Sequence, residues 1–115
     1  MESILNSIKK LLGIDAEYAV FDADIIMHIN SVFTILTQLG VGPPNGFSIA
    51  DESSLWSDFL PNDDPKFNSV KSYVYLKVRL LFDPPASSAI TETINRVINE
   101  LEWRINVEAE NRNGW

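Results

Sequence analysis

The chain contains no cysteine, so neither a disulfide framework nor a thiolate metal site is open to it. It has no lysine or arginine between Lys10 and Lys66, a stretch that nevertheless carries Asp15, Glu17, Asp22, Asp24, Asp51, Glu52, Asp58, Asp63 and Asp64. These nine negative charges exceed the net charge of -7 on the whole chain. A surface segregated in this way repels nucleic-acid phosphate and gains nothing from counterion release. No apolar run approaches the roughly 20 residues needed to span a bilayer. The first residues read as an amphipathic helix without the apolar core of a signal peptide. A single soluble, intracellular domain is expected. At 115 residues and 45% hydrophobic content, such a domain buries about 65% of the surface its unfolded chain exposes.

Periodicity and punctuation lay out four main helices. Ile4, Leu5, Ile8, Leu11 and Leu12 recur at helical spacing over residues 2–12, and Gly13 ends that helix with Ile14 folding back on it. Asp22 is placed to cap a second helix, with Phe21 and Ile26 as a hydrophobic staple. Its stripe is Ile25, Ile29, Val32, Phe33, Leu36 and Leu39, and Gly40 closes it. The prolines and glycines of residues 42–46 exclude helix interior. Ser53 to Leu60 can form one short turn, and Phe47, Ile49 and Trp56 argue for partial order in this loop. Asp64 and Pro65 open a helix reaching Phe82, apolar on most sides and therefore central. Asp83-Pro84-Pro85 stops it. Ser87 or Ser88 caps a last helix to about Glu108, with Ile90, Ile94, Val97, Leu101 and Ile105 as its stripe. A polar tail, residues 111–115, ends in Trp115. The expected fold is all-α: a small bundle of four main helices with an irregular acidic loop and a C-terminal tail, forming one domain over 1–115.

Little of this composition points to catalysis. His28, the only histidine, has no nucleophile at a telling spacing, so a structural or surface role is expected. Asp22 with Asp24, and Asp63 with Asp64, do not continue into a calcium-binding loop, and helix capping is the better reading. Gly40, Gly42 and Gly46 lack the following lysine and hydroxyl of a phosphate loop. The bases are too scattered for sequence-specific DNA binding. No enzyme activity, cofactor or metal is expected. Two features exceed the needs of a monomer core: the acidic loop, whose bland reading is solubility, and the tryptophans. Trp56 and Trp103 divide evenly between core edge and interface, whereas Trp115 on its polar tail is the stronger interface candidate.

Several phrases, in order, carry a resemblance. They are Lys10-Leu11-Leu12-Gly13-Ile14, Asp24-Ile25-Ile26-Met27-His28-Ile29-Asn30, Gln38-Leu39-Gly40-Val41-Gly42-Pro43 and Trp56-Ser57-Asp58-Phe59-Leu60. Then come Val74-Tyr75-Leu76-Lys77-Val78-Arg79-Leu80-Leu81-Phe82-Asp83-Pro84-Pro85 and Glu100-Leu101-Glu102-Trp103-Arg104-Ile105-Asn106. Across nearly the whole chain these phrases resemble the head–tail connector (adaptor) proteins of tailed bacteriophages. The resemblance implies a structural virion subunit with no catalytic residues. Such subunits form a ring, typically of twelve copies, beneath the portal in the neck of the virion. The ring extends the DNA channel and gives a platform to the next neck or tail-completion protein.

On that reading genomic DNA passes without specific binding, and no membrane is involved. Asp51, Glu52, Asp58, Asp63 and Asp64 are expected to face the channel or a subunit interface. Trp103, Arg112 and Trp115 are expected to dock on the portal or a neighbour. A ring needs two different faces per subunit, and the first helix with Lys9 and Lys10 could meet the acidic loop of the next copy. The competing reading is a small acidic regulator that mimics DNA and binds a basic protein, with a strong salt dependence. A hydrolase using Asp and His28 is set aside because no complete acid–base set is visible.

Overall fold

A computed structural model describes residues 2–60 and 67–112. Five helices follow in order: α1 (Ile4–Leu12), α2 (Asp22–Gln38), the short α3 (Trp56–Phe59), α4 (Phe67–Phe82) and α5 (Ser88–Arg112). Among the described residues there is no strand, only one isolated antiparallel bridge between Ser3 and Leu55. No helix among them is long and apolar enough to cross a membrane.

Local signals set most boundaries. The Ser3 hydroxyl caps α1 by accepting from the Asn6 N–H at 3.2 Å. At its other end Gly13 turns left-handed at φ 82°, and the N–H groups of Gly13 and Ile14 close on the carbonyls of Lys10 and Lys9. Gly40 does the same for α2, with Val41 N–H returning to Leu36 at 2.9 Å. Asp22, however, does not cap α2. The helix begins at Asp22 itself, Phe21 stands at the cap position without a side-chain bond, and the Asp22 carboxylate is drawn to Lys9 instead. Pro65 and Asp64, the expected start of α4, lie outside the described residues.

Helix α4 is the centre of the bundle: α1, α2 and α5 all pack on it. Its Val70, Tyr73, Val74 and Val78 are buried against Ile25, Ile29, Val32, Phe33 and Leu36 of α2 and Ile4, Leu5 and Ile8 of α1. Leu81, near the end of this helix, is exposed. The main partner of α5 is α4 alone, and the Tyr73 hydroxyl fixes their register by donating to Glu102 Oε2 at 2.7 Å. Burial first, then the Glu102 carboxylate, pushes the Tyr73 phenol above its ordinary pKa. The stripe of α5 also differs from expectation. Ile94, Ile98, Ile105 and Ala109 are buried, while Ile90 and Val97 face outward at 50% and 41% exposure. The helix runs on to Arg112, so Asn111 and Arg112 continue α5 and do not begin a tail.

The loop after α2 is held by side chains. Both ends of the Asn30 amide grip Ile49: Nδ2 donates to its carbonyl at 3.0 Å, and Oδ1 accepts from its N–H at 2.8 Å. This takes the place of a strand pairing for an otherwise unpaired backbone. Phe33, Phe47 and Phe59 form an aromatic cluster with centroids 4.6–5.2 Å apart, a favourable spacing for tilted and edge-on rings. Gly42, at φ 84°, lies under the Phe59 ring, where a Cβ would come within 2.3 Å. Only glycine fits there. Thus the part of the acidic stretch up to Leu60 is folded onto the core.

Candidate assembly surfaces

Two surfaces stand at opposite ends of α1. At its N-terminal end the backbone of Glu2, Ser3 and Ile4 is tied to Ser54–Trp56: Trp56 N–H donates to Glu2 at 3.1 Å, and Ile4 N–H to Ser54 at 3.0 Å. This pinning carries Asp51, Glu52 and Asp58 to the same end of the molecule, all exposed. Asp51 Oδ1 accepts from both the hydroxyl and the N–H of Ser53, and these bonds hold its carboxyl below the usual carboxylate range. Asp58 Oδ2 accepts from the Leu55 N–H at 2.9 Å and so closes the start of α3. Glu52 is exposed. Two of the three acids therefore also shape their own loop. Asp63 and Asp64 lie outside the described residues.

The C-terminal end of α1 carries a surface the sequence reading missed. Leu12, Ile14, Phe21, Phe82 and Asp83 line a hollow of about 400 Å³. A second, of about 250 Å³, is lined by Leu11, Leu12, Gly13, Tyr75, Arg79 and Asp83. Leu12 and Asp83 belong to both, so the hollows form one strip. Phe21 meets Phe82 edge-on at 5.4 Å and Tyr18 at 5.8 Å. Leu11, Tyr18, Val20 and Phe21 stay 39–70% exposed. Clustered exposed apolar side chains of this kind mark interaction surfaces. The only hint in the sequence was an apolar Tyr18-Ala19-Val20-Phe21 run lying between two helices.

The strip is held in place by Lys9, and this overturns the expected role of that residue at a subunit contact. Its side chain is fully buried. Nζ donates to the carbonyls of Ala16 at 3.0 Å and Tyr18 at 2.8 Å and lies 2.7 Å from Asp22 Oδ1. Asp22 Oδ1 makes no hydrogen bond of its own among the described residues, so its contact with the ammonium is an ion pair. Lys10 remains exposed.

The tryptophans separate. Trp56 is core, 1% exposed, with Nε1 donating to Ser7 Oγ at 2.7 Å. Trp103 is 66% exposed over a shallow hollow with Leu39, Asn99, Glu102 and Asn106. Arg112 is the last residue of α5, and Trp115 lies outside the described residues. Trp103 and the three acids are thus brought to different surfaces. His28 is half-buried on α2, and no three metal-ligating side chains converge among the described residues.

A helical domain with unpartnered apolar and acidic surfaces has the build of a structural subunit. A family model described as phage connector protein matches residues 4–112. The chain belongs to that family and is a structural phage connector protein. Neither a curated protein nor a solved structure matches it.

Proposed function

We propose that the chain assembles with copies of itself into a closed ring beneath the portal. By the family resemblance the ring has twelve copies. It extends the DNA channel in the virion neck and offers a platform to the next neck or tail-completion protein. The observation that carries this reading is the placement of two unlike surfaces, one apolar and one acidic, at opposite ends of α1. A neighbouring copy can cover the apolar strip with a different part of its surface, and such heterologous contacts close into rings when the rotation allows, leaving the acidic surface free. Asp51, Glu52, Asp58, Asp63 and Asp64 face the channel or its rim, where negative charge lets DNA pass without gripping its phosphates. Trp103, Arg112 and Trp115 dock on the portal or a neighbouring subunit, tryptophan and arginine being frequent anchors at interfaces.

Mass photometry of the chain alone and with its cognate portal ring tests the assembly. The expected result is a discrete mass gain corresponding to one chain per portal subunit. A chain that stays small and leaves the portal mass unchanged would reject the ring and favour the acidic regulator. The channel assignment has its own measurement. The triple variant Glu52→Lys, Asp63→Lys, Asp64→Lys, which spares the two acids bonded within their loop, should assemble normally but release the genome more slowly. Its retardation should weaken as salt rises. Wild-type ejection kinetics would remove these acids from the channel.

A further inference from the structure

The apolar strip at the C-terminal end of α1 has a counterpart on the same chain. Helix α5 has 25 residues against 16 in α4, about 37 Å against 24 Å at 1.5 Å per residue. The antiparallel register is set where Tyr73 meets Glu102. Ile90, twelve residues before Glu102, therefore falls level with position 85, beyond the last residue of α4. Val97 lies seven residues further along α5, on the same side of the helix. Val97 falls level with position 78, within the span of α4, yet stays 41% exposed beside Ile90 at 50%. The two form a short, half-exposed apolar ridge with about 10 Å between the positions.

We infer that this ridge of one copy seats in the strip of the next, Ile90 and Val97 entering the hollows lined by Leu11, Leu12, Phe21 and Phe82. The inference rests on the ring reading and names the contact that builds it. Charge supports the match. Asp83, shared by both hollows, and Arg96, beside Val97, each lack an ion pair among the described residues. Brought together across the contact, they set its register more than its strength. Each subunit gives its ridge to one neighbour and receives a ridge from another, so the contact is heterologous and propagates from copy to copy.

A chain without native cysteine allows a clean test. The double variant Leu11→Cys/Ile90→Cys replaces two exposed side chains and is oxidised with the cognate portal ring present. Mass photometry is run in parallel. The expected result is a ladder of covalent multimers from the double variant and none from either single variant. Dimers from Leu11→Cys alone would show a symmetric contact and overturn the inference. A ring of the expected mass without a ladder would overturn the contact and leave the ring reading standing. Neither ring nor ladder would overturn both. As a second measurement, Asp83→Arg and Arg96→Asp should each weaken assembly, and combining them in one chain should restore it. Failure of the combination to restore assembly, with the fold intact by circular dichroism, would also overturn the pairing.

Discussion

Replacing Lys9 with methionine is expected to destabilise the protein by about 3 kcal/mol. Methionine keeps most of the stem volume, so the loss is almost entirely that of the ammonium. Two backbone carbonyls, those of Ala16 and Tyr18, then lose their donor inside the fold, at roughly 1 kcal/mol or more each. Asp22 loses its ion-pair partner, but its carboxylate is 27% exposed and recovers part of that energy from water. Asp22→Asn should therefore cost less, about 1 kcal/mol, because the ammonium keeps both carbonyls. Urea denaturation of the two variants measures the difference directly. Near-wild-type stability for Lys9→Met would mean that the ammonium is not what holds the 15–21 segment. The functional consequence is specific. Tyr18 and Phe21 are carried by the segment that Lys9 anchors, so Lys9→Met should impair assembly at temperatures where the domain is still folded.

Trp56→Ala is expected to cost more, about 4 kcal/mol, in the range for deleting a large buried aromatic. The indole is 1% exposed, meets Phe33 edge-on at 6.2 Å and donates to the buried Ser7 hydroxyl. Its removal opens a cavity in the centre of the core and leaves Ser7 Oγ without its donor, although that hydroxyl still donates to Ile4 at 3.0 Å. Trp56→Phe keeps a ring in place and should cost only about half as much. A domain of this size is stable by roughly 5–15 kcal/mol, so the alanine variant has little margin. The same tryptophan ties the loop bearing Asp51, Glu52 and Asp58 to the start of α1. Limited proteolysis should therefore cut Trp56→Ala between residues 41 and 60 well before wild type. Protection equal to wild type would show that the Asn30 clamp and the Phe33–Phe47–Phe59 cluster hold the loop without the indole.

These two residues also show where reading the sequence stops. The α2 stripe from Ile25 to Leu36 and the glycine closures at Gly13 and Gly40 were legible because periodicity and capping act within a few neighbouring residues. The phase of α5 was not. Ile90, Ile94, Val97, Ile98, Leu101 and Ile105 offer two overlapping apolar faces, and the position of α4 selects Ile94, Ile98 and Ile105 for burial. Lys9 is indistinguishable in sequence from the exposed Lys10 beside it. What separates them is the path of residues 15–21, which brings two carbonyls to one ammonium and not to the other.

By itself the sequence determined an all-α domain, helix limits to within a few residues, the segregation of acid from base, and the absence of thiol chemistry. Each of these depends on composition or on contacts short along the chain. Only the tertiary structure decided that Lys9 and Trp56 lie inside while Trp103, Ile90 and Val97 lie outside. It alone gathered Leu11, Tyr18, Phe21 and Phe82 into one strip. The reason is physical: whether an apolar or charged side chain is covered depends on which distant element packs over it, and no local pattern specifies that neighbour.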